Sequence, residues 1–121
     1  MSNNRIWNCK NPYQGNYKKV LCVCSAGLLR SPTAAMVLSK APYNFNTRAA
    51  GLDSSHALVP VDEVLLHWAD EIVCMEPEQS NRLRKMTDKR IICLNISDSY
   101  AYRSPELVKK IKAAYPKEEL N

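Results

Sequence analysis

Residues Lys18 to Lys40 read KKVLCVCSAGLLRSPTAAMVLSK. Val20-Leu21-Cys22-Val23 is an apolar, β-branched-rich run suited to a buried strand. Cys24 to Arg30 follows as a short loop with a thiol at one end and a guanidinium at the other. Ser31-Pro32 predicts a helix start: Ser is a good N-cap, and Pro suits the first helical position, where its missing N–H loses no partner. Ala34, Ala35, Val37 and Leu38 continue it with an apolar side. A strand that passes through a tight loop into a helix N-terminus aims several backbone N–H groups and the positive end of the helix dipole at one point. A thiol held there is favoured as its thiolate, and a dianion binds beside it. The stretch describes a nucleophile, Cys24, facing a phosphate.

The chain on either side supplies a domain to hold that loop. Residues 1–17 are polar, rich in Asn and Lys, and read as an arm; residues 18–121 read as one domain. Asn44 to Ala50 is expected as a second strand ending at Gly51, and Leu52 to Pro60 as a loop. Val61, Val64, Leu65 and Trp68 have the spacing of a helix with one buried side, leaving His67 off that side. Glu71 to Met75 is the third strand, Glu78 to Met86 a short basic helix, and Arg90 to Ile96 the fourth strand. Ser104-Pro105 repeats the helix opening, with Leu107, Val108 and Ile111 as its apolar stripe. Alternating helices and strands, the strands too apolar to face water, imply a parallel sheet covered on both sides. Ligands of such sheets bind beyond the carboxyl ends of the strands, where Cys24 lies.

The formal charge of +5 and the pI near 9.0 suit acidic partners without singling out nucleic acid. No apolar window has a spanning length and the N-terminus has no signal-like core, so a cytoplasmic chain with no membrane partner is expected. The five cysteines have no metal-type spacing. Cys22, Cys74 and Cys93 lie in strand-like runs and read as small buried hydrophobes, while Cys9 falls in the arm. Cys22 and Cys24, two steps apart on one strand, are poorly placed for a disulfide, although once past the strand end Cys22 could reach Cys24 under oxidation.

Cys24-Ser25-Ala26-Gly27-Leu28-Leu29-Arg30-Ser31-Pro32 resembles the C-x5-R-S-P signature of the low-molecular-weight protein tyrosine phosphatases. It is closest to a small prokaryotic branch known as predicted protein tyrosine phosphatases. The resemblance runs from about Lys18 to about Ala113. It includes Ala50-Gly51-Leu52, Leu66-His67-Trp68-Ala69-Asp70, Val73-Cys74-Met75-Glu76, Asn81-Arg82-Leu83-Arg84 and Ser104-Pro105-Glu106-Leu107. It implies a three-layer α/β sandwich of flavodoxin-like type, with a four-stranded parallel twisted sheet in the order 2-1-3-4.

The resemblance also implies roles. Asp98, in Ile96-Ser97-Asp98-Ser99-Tyr100, matches the general acid, which the leaving oxygen needs because it departs poorly unprotonated. Tyr100 matches an aromatic that lines the cleft. The loop holding Asp53, Ser54, Ser55 and His56 corresponds to a cleft wall, although an ordinary polar turn reads equally well there. Three positions depart from the pattern. Gly27 replaces an Asn that braces the loop, Ala49 replaces the Ser that partners it, and Ser104 replaces an Asp ahead of the last helix. Donor and acceptor of the brace are thus missing together, which costs less than leaving one unpaired.

The expected chemistry is hydrolysis of a phosphomonoester, on a protein or a small molecule, through a cysteinyl-phosphate. Cys24 is the nucleophile, and the N–H groups of Ser25, Ala26, Gly27, Leu28, Leu29 and Arg30 hold the phosphate oxygens. Arg30 clamps two of those oxygens, Ser31 donates to the sulfur, and Asp98 acts as acid and then base. Inorganic phosphate or a similar oxyanion should occupy the same loop, and no metal or organic cofactor is called for. Two rivals use the same loop. A Cys phosphocarrier resembling phosphotransferase IIB subunits needs neither Arg30 nor Asp98. A catalytically weak phosphate- or phosphoprotein-binding module would be consistent with Gly27, Ala49 and Ser104. Arsenate reduction would require a second thiol able to reach Cys24.

Overall fold

The structure, a computed structural model, describes residues 18–25, 30–53, 59–96 and 104–116. The expected N-terminal arm lies outside them. The elements are β1 (Lys19–Cys24), α1 (Arg30–Leu38), β2 (Asn46–Gly51), α2 (Glu63–Trp68), β3 (Glu71–Cys74), α3 (Pro77–Arg84), β4 (Arg90–Cys93) and α4 (Pro105–Ala114). The four strands form one sheet in the order β2-β1-β3-β4, and every pairing is parallel. This is the three-layer flavodoxin-like arrangement expected.

Strand alternation divides the core in two. Val20, Cys22, Cys24, Val73, Met75 and Ile92 face one side, packed with Ala34, Ala35 and Leu38 of α1 and Leu107 and Ile111 of α4. Leu21, Val23, Ile72 and Cys74 face the other, with Leu65 and Leu66 of α2 and Leu83 of α3. Helices α1 and α4 therefore cover one face and α2 and α3 the other. Each fully buried Leu, Ile or Phe contributes roughly 1.5–3 kcal/mol.

The boundaries depart from the sequence reading where backbone geometry intervenes. Helix α1 begins at Arg30, so Ser31 and Pro32 lie within its first turn. Strand β4 ends at Cys93, three residues earlier than Ile96, because Asn95 adopts φ 58°, a left-handed conformation that Asn tolerates. Leu94 and Ile96 still donate to the carbonyls of Cys74 and Met75, so the segment keeps following β3. In α2, Leu65 and Leu66 are buried while Val64 is 64% exposed, so Val64 leaves the predicted stripe and Leu66 replaces it. His67 is exposed, as its spacing implies. The expected second Ser-Pro start holds: Ser104 caps α4, accepting from Leu107 N at 3.1 Å.

Two polar anchors tie the layers together. Glu71, first in β3 and buried, accepts from Tyr115 Oη at 2.7 Å and pairs with Lys18 Nζ at 3.2 Å. Lys89 Nζ donates to the carbonyls of Leu66, His67 and Ala69, closing the C-terminal end of α2. Among the described residues no helix is long and apolar enough to cross a membrane.

Candidate active site

Strand β1 ends at Cys24 on the carboxyl edge of the sheet, and the ladder to β2 continues past it. Leu52 N donates to the Cys24 carbonyl at 2.9 Å, and Asp53 N to that of Ser25 at 2.7 Å. These bonds fix the direction in which the chain leaves the strand. The described structure resumes at Arg30, the first residue of α1.

Cys24 is 3% exposed, and its sulfur turns toward that helix: the thiol donates to Ser31 Oγ at 3.2 Å. Ser31 Oγ in turn donates to the Ala50 carbonyl at 3.3 Å. The sequence reading has Ser31 donating to the sulfur; with a protonated thiol the relay runs the other way. A hydroxyl hydrogen can rotate, so the same contact can supply O–H···S⁻ once the proton leaves. Ser31 is fully buried, which keeps water from competing for its hydroxyl.

The Arg30 side chain, 6% exposed, is held from the neighbouring strand ends. Its Nη1 donates to Glu76 Oε2 at 2.7 Å and to the Ile96 carbonyl at 2.7 Å. Glu76 follows β3 and Ile96 follows β4, so the guanidinium crosses the carboxyl edge beneath which both strands end. Both acceptors fall on Nη1, which has two hydrogens; the fork formed by Nε and Nη2 has the spacing to grip an oxyanion in bidentate fashion.

Gln79, on α3 and 1% exposed, makes the third connection. Its Oε1 accepts from Met75 N at 2.8 Å and Glu76 N at 3.0 Å, and its Nε2 donates to Ser25 Oγ at 3.2 Å. One carboxamide thus sets both the turn that carries Glu76 and the first loop residue after Cys24. Neither Glu76 nor Gln79 was assigned a role from the sequence. The available signal was Glu76-Pro77-Glu78-Gln79, in which a Pro at the first helical position and a Gln two residues later mark a helix start whose side chain folds back.

The structure brings Cys24, Ser25, Arg30 and Ser31 together. The remaining predicted site residues, Ala26, Gly27, Leu28, Leu29, His56, Asp98 and Tyr100, lie outside the described residues, as does Cys9. Ala49, buried in β2, belongs to the core. Cys22 and Cys74 are fully buried, as expected, but Cys93 is only partly buried because β4 is an edge strand. Cys74 and Cys93 belong to the core of the face opposite Cys24. Burial, reinforced by neighbouring Cys93, pushes the Cys74 thiol up to about 12.

Compared with protein-family models, with curated proteins and with solved structures, the chain matches none.

Proposed function

We propose that this protein is a phosphomonoester hydrolase of the protein tyrosine phosphatase type, working through a cysteinyl-phosphate. The observation that carries the reading is the convergence at one edge of the sheet. Cys24 Sγ lies 3.2 Å from a buried hydroxyl at a helix N-terminus, and the next residue back, Arg30, is fixed by Glu76 and Ile96. A phosphocarrier has no use for such a clamp, and of the described thiols Cys74 and Cys93 lie on the face of the sheet opposite Cys24, poorly placed to resolve it in arsenate reduction.

The thiolate of Cys24 attacks phosphorus in line, forming an S–P bond as the P–O bond to the leaving group breaks. The Nε and Nη2 edge of Arg30 takes two of the phosphoryl oxygens as charge spreads, with N–H groups of the loop holding the others. Ser31 turns its hydroxyl from the Ala50 carbonyl to the sulfur, which eases departure of the thiolate in the second step. Asp98 gives its proton to the leaving oxygen and then takes one from the water that attacks the cysteinyl-phosphate, releasing phosphate. Support for that assignment comes from connectivity. Asp98 lies two residues beyond Ile96, whose carbonyl touches the Arg30 guanidinium, so the segment carrying the carboxyl departs from the rim of the site.

The test is hydrolysis of an aryl phosphate by wild-type, Cys24→Ser and Asp98→Asn proteins. Turnover should vanish in Cys24→Ser, and should slow in Asp98→Asn with affinity largely kept. Wild-type protein that binds phosphate but hydrolyses nothing would replace the enzyme with a binding module. Cysteinyl-phosphate that passes to a sugar rather than to water would replace it with a phosphocarrier.

A further inference from the structure

Cys74 and Cys93 are direct partners in the β3–β4 register. Adjacent strands lie about 4.8 Å apart, inside the roughly 4.4–6.8 Å range of Cα separations that a disulfide spans. Both side chains belong to the core shared with α2 and α3, on the same face of the sheet. They differ in access: Cys74 is fully buried, whereas Cys93 is partly exposed on the edge strand. One thiol can meet a small oxidant in solution, and the other waits behind it.

We propose that Cys74 and Cys93 form a dithiol that closes reversibly into a cross-strand disulfide. With a peroxide as oxidant, the Cys93 sulfur attacks one peroxide oxygen, the O–O bond breaks, and water leaves after protonation, giving a sulfenic acid. The Cys74 sulfur then attacks the Cys93 sulfur, the S–O bond breaks, and the departing hydroxide takes up the Cys74 proton as water. Two thiols and one peroxide become one disulfide and two waters. Because Cys74 stays protonated, it is a poor first nucleophile, which assigns the first step to Cys93.

The bond would have a defined neighbourhood. Cys74 precedes Glu76 by two residues and Cys93 precedes Ile96 by three, and these are the two acceptors of the Arg30 guanidinium. Oxidation would therefore tie together the two strands just before they reach the anion clamp. The pairing itself does not depend on the phosphatase reading.

The experiment treats folded, full-length protein with one equivalent of hydrogen peroxide, denatures it in iodoacetamide, and maps tryptic peptides by mass spectrometry. The expected product joins the Cys74 and Cys93 peptides with the loss of two hydrogens, and dithiothreitol separates them. In Cys93→Ser protein, changed at a partly exposed site, the linkage should disappear and Cys74 should be recovered alkylated. Three results would overturn the proposal. They are a Cys22–Cys24 link with both Cys74 and Cys93 alkylated, a Cys93 sulfinic acid beside an alkylated Cys74, and a Cys74 disulfide to another residue in Cys93→Ser protein.

Discussion

Arg30 and Glu76 meet at 2.7 Å although they are far apart in the chain, one opening α1 and the other leaving β3. The carboxylate does not neutralise the guanidinium symmetrically; it takes one nitrogen, which it shares with the Ile96 carbonyl. Glu76 thus supplies the counter-charge, and Glu76 and Ile96 together fix the orientation.

Removing that contact should show in catalysis before it shows in folding. Glu76→Ala should lower kcat/KM for an aryl phosphate by about 10–100-fold, since misplacement of a binding group by about 1 Å can cost on the order of 100-fold. Glu76→Gln, which keeps an acceptor oxygen, should recover much of the loss. Steady-state kinetics on both variants check this, and equal activity in Glu76→Ala and wild type would refute the positioning role.

Ser31 offers a separate test. A hydrogen bond to an ionised group is worth about 1.5–3 kcal/mol, so Ser31→Ala should slow the overall rate by about 10–100-fold, with the deficit in breakdown of the cysteinyl-phosphate. Rapid-quench kinetics should then reveal a burst of aryl product followed by a slow steady state. A slowed burst with normal breakdown would assign the hydroxyl to attack instead.

Gln79 should matter for stability as well as geometry. Gln79→Ala leaves the N–H groups of Met75 and Glu76 without the Oε1 acceptor they share, and each buried donor so exposed costs about 1–3 kcal/mol. A urea midpoint clearly below that of wild type is expected, together with weaker phosphate binding because Ser25 loses its tether. An unchanged midpoint would mean that water replaces the carboxamide.

The Cys74 thiol imposes a pH dependence. Its folded pKa lies above the ordinary thiol range, so between about pH 9 and pH 12 the unfolded chain releases this proton while the native chain keeps it. The unfolded state then binds fewer protons, and stability falls as pH rises through that window. Thermal melts of wild type and Cys74→Ala across it should differ in slope, with Cys74→Ala the flatter.

The architecture was legible because its signals are local and repeated: apolar runs at Val20–Val23, Ile72–Met75 and Ile91–Cys93 alternate with Pro-marked helix starts at Ser31-Pro32 and Ser104-Pro105. Cys24 and Arg30 were legible because both sit on one continuous stretch with a strand before it and a helix after it. Glu76, Gln79 and the Ile96 carbonyl were not, because they reach the site only through sheet order. Nothing in linear spacing reveals that the ends of β3 and β4 converge on the first residue of α1. Val64 misled for a related reason: helical periodicity gives the width of an apolar face but not the rotation that docks it. The Glu76-Pro77-Glu78-Gln79 stretch carried a readable helix-start pattern, yet its consequence for Ser25 is tertiary.

The Glu71–Tyr115 bond stands at the start of β3, at the amino end of the sheet, away from Cys24 and Arg30. Damage at the two ends should therefore have different biological signatures. A lesion at Glu71 would reduce how many intact copies a cell retains while leaving the far edge of each survivor in place; under the phosphatase reading a lesion at Arg30 would also disarm the copies that remain.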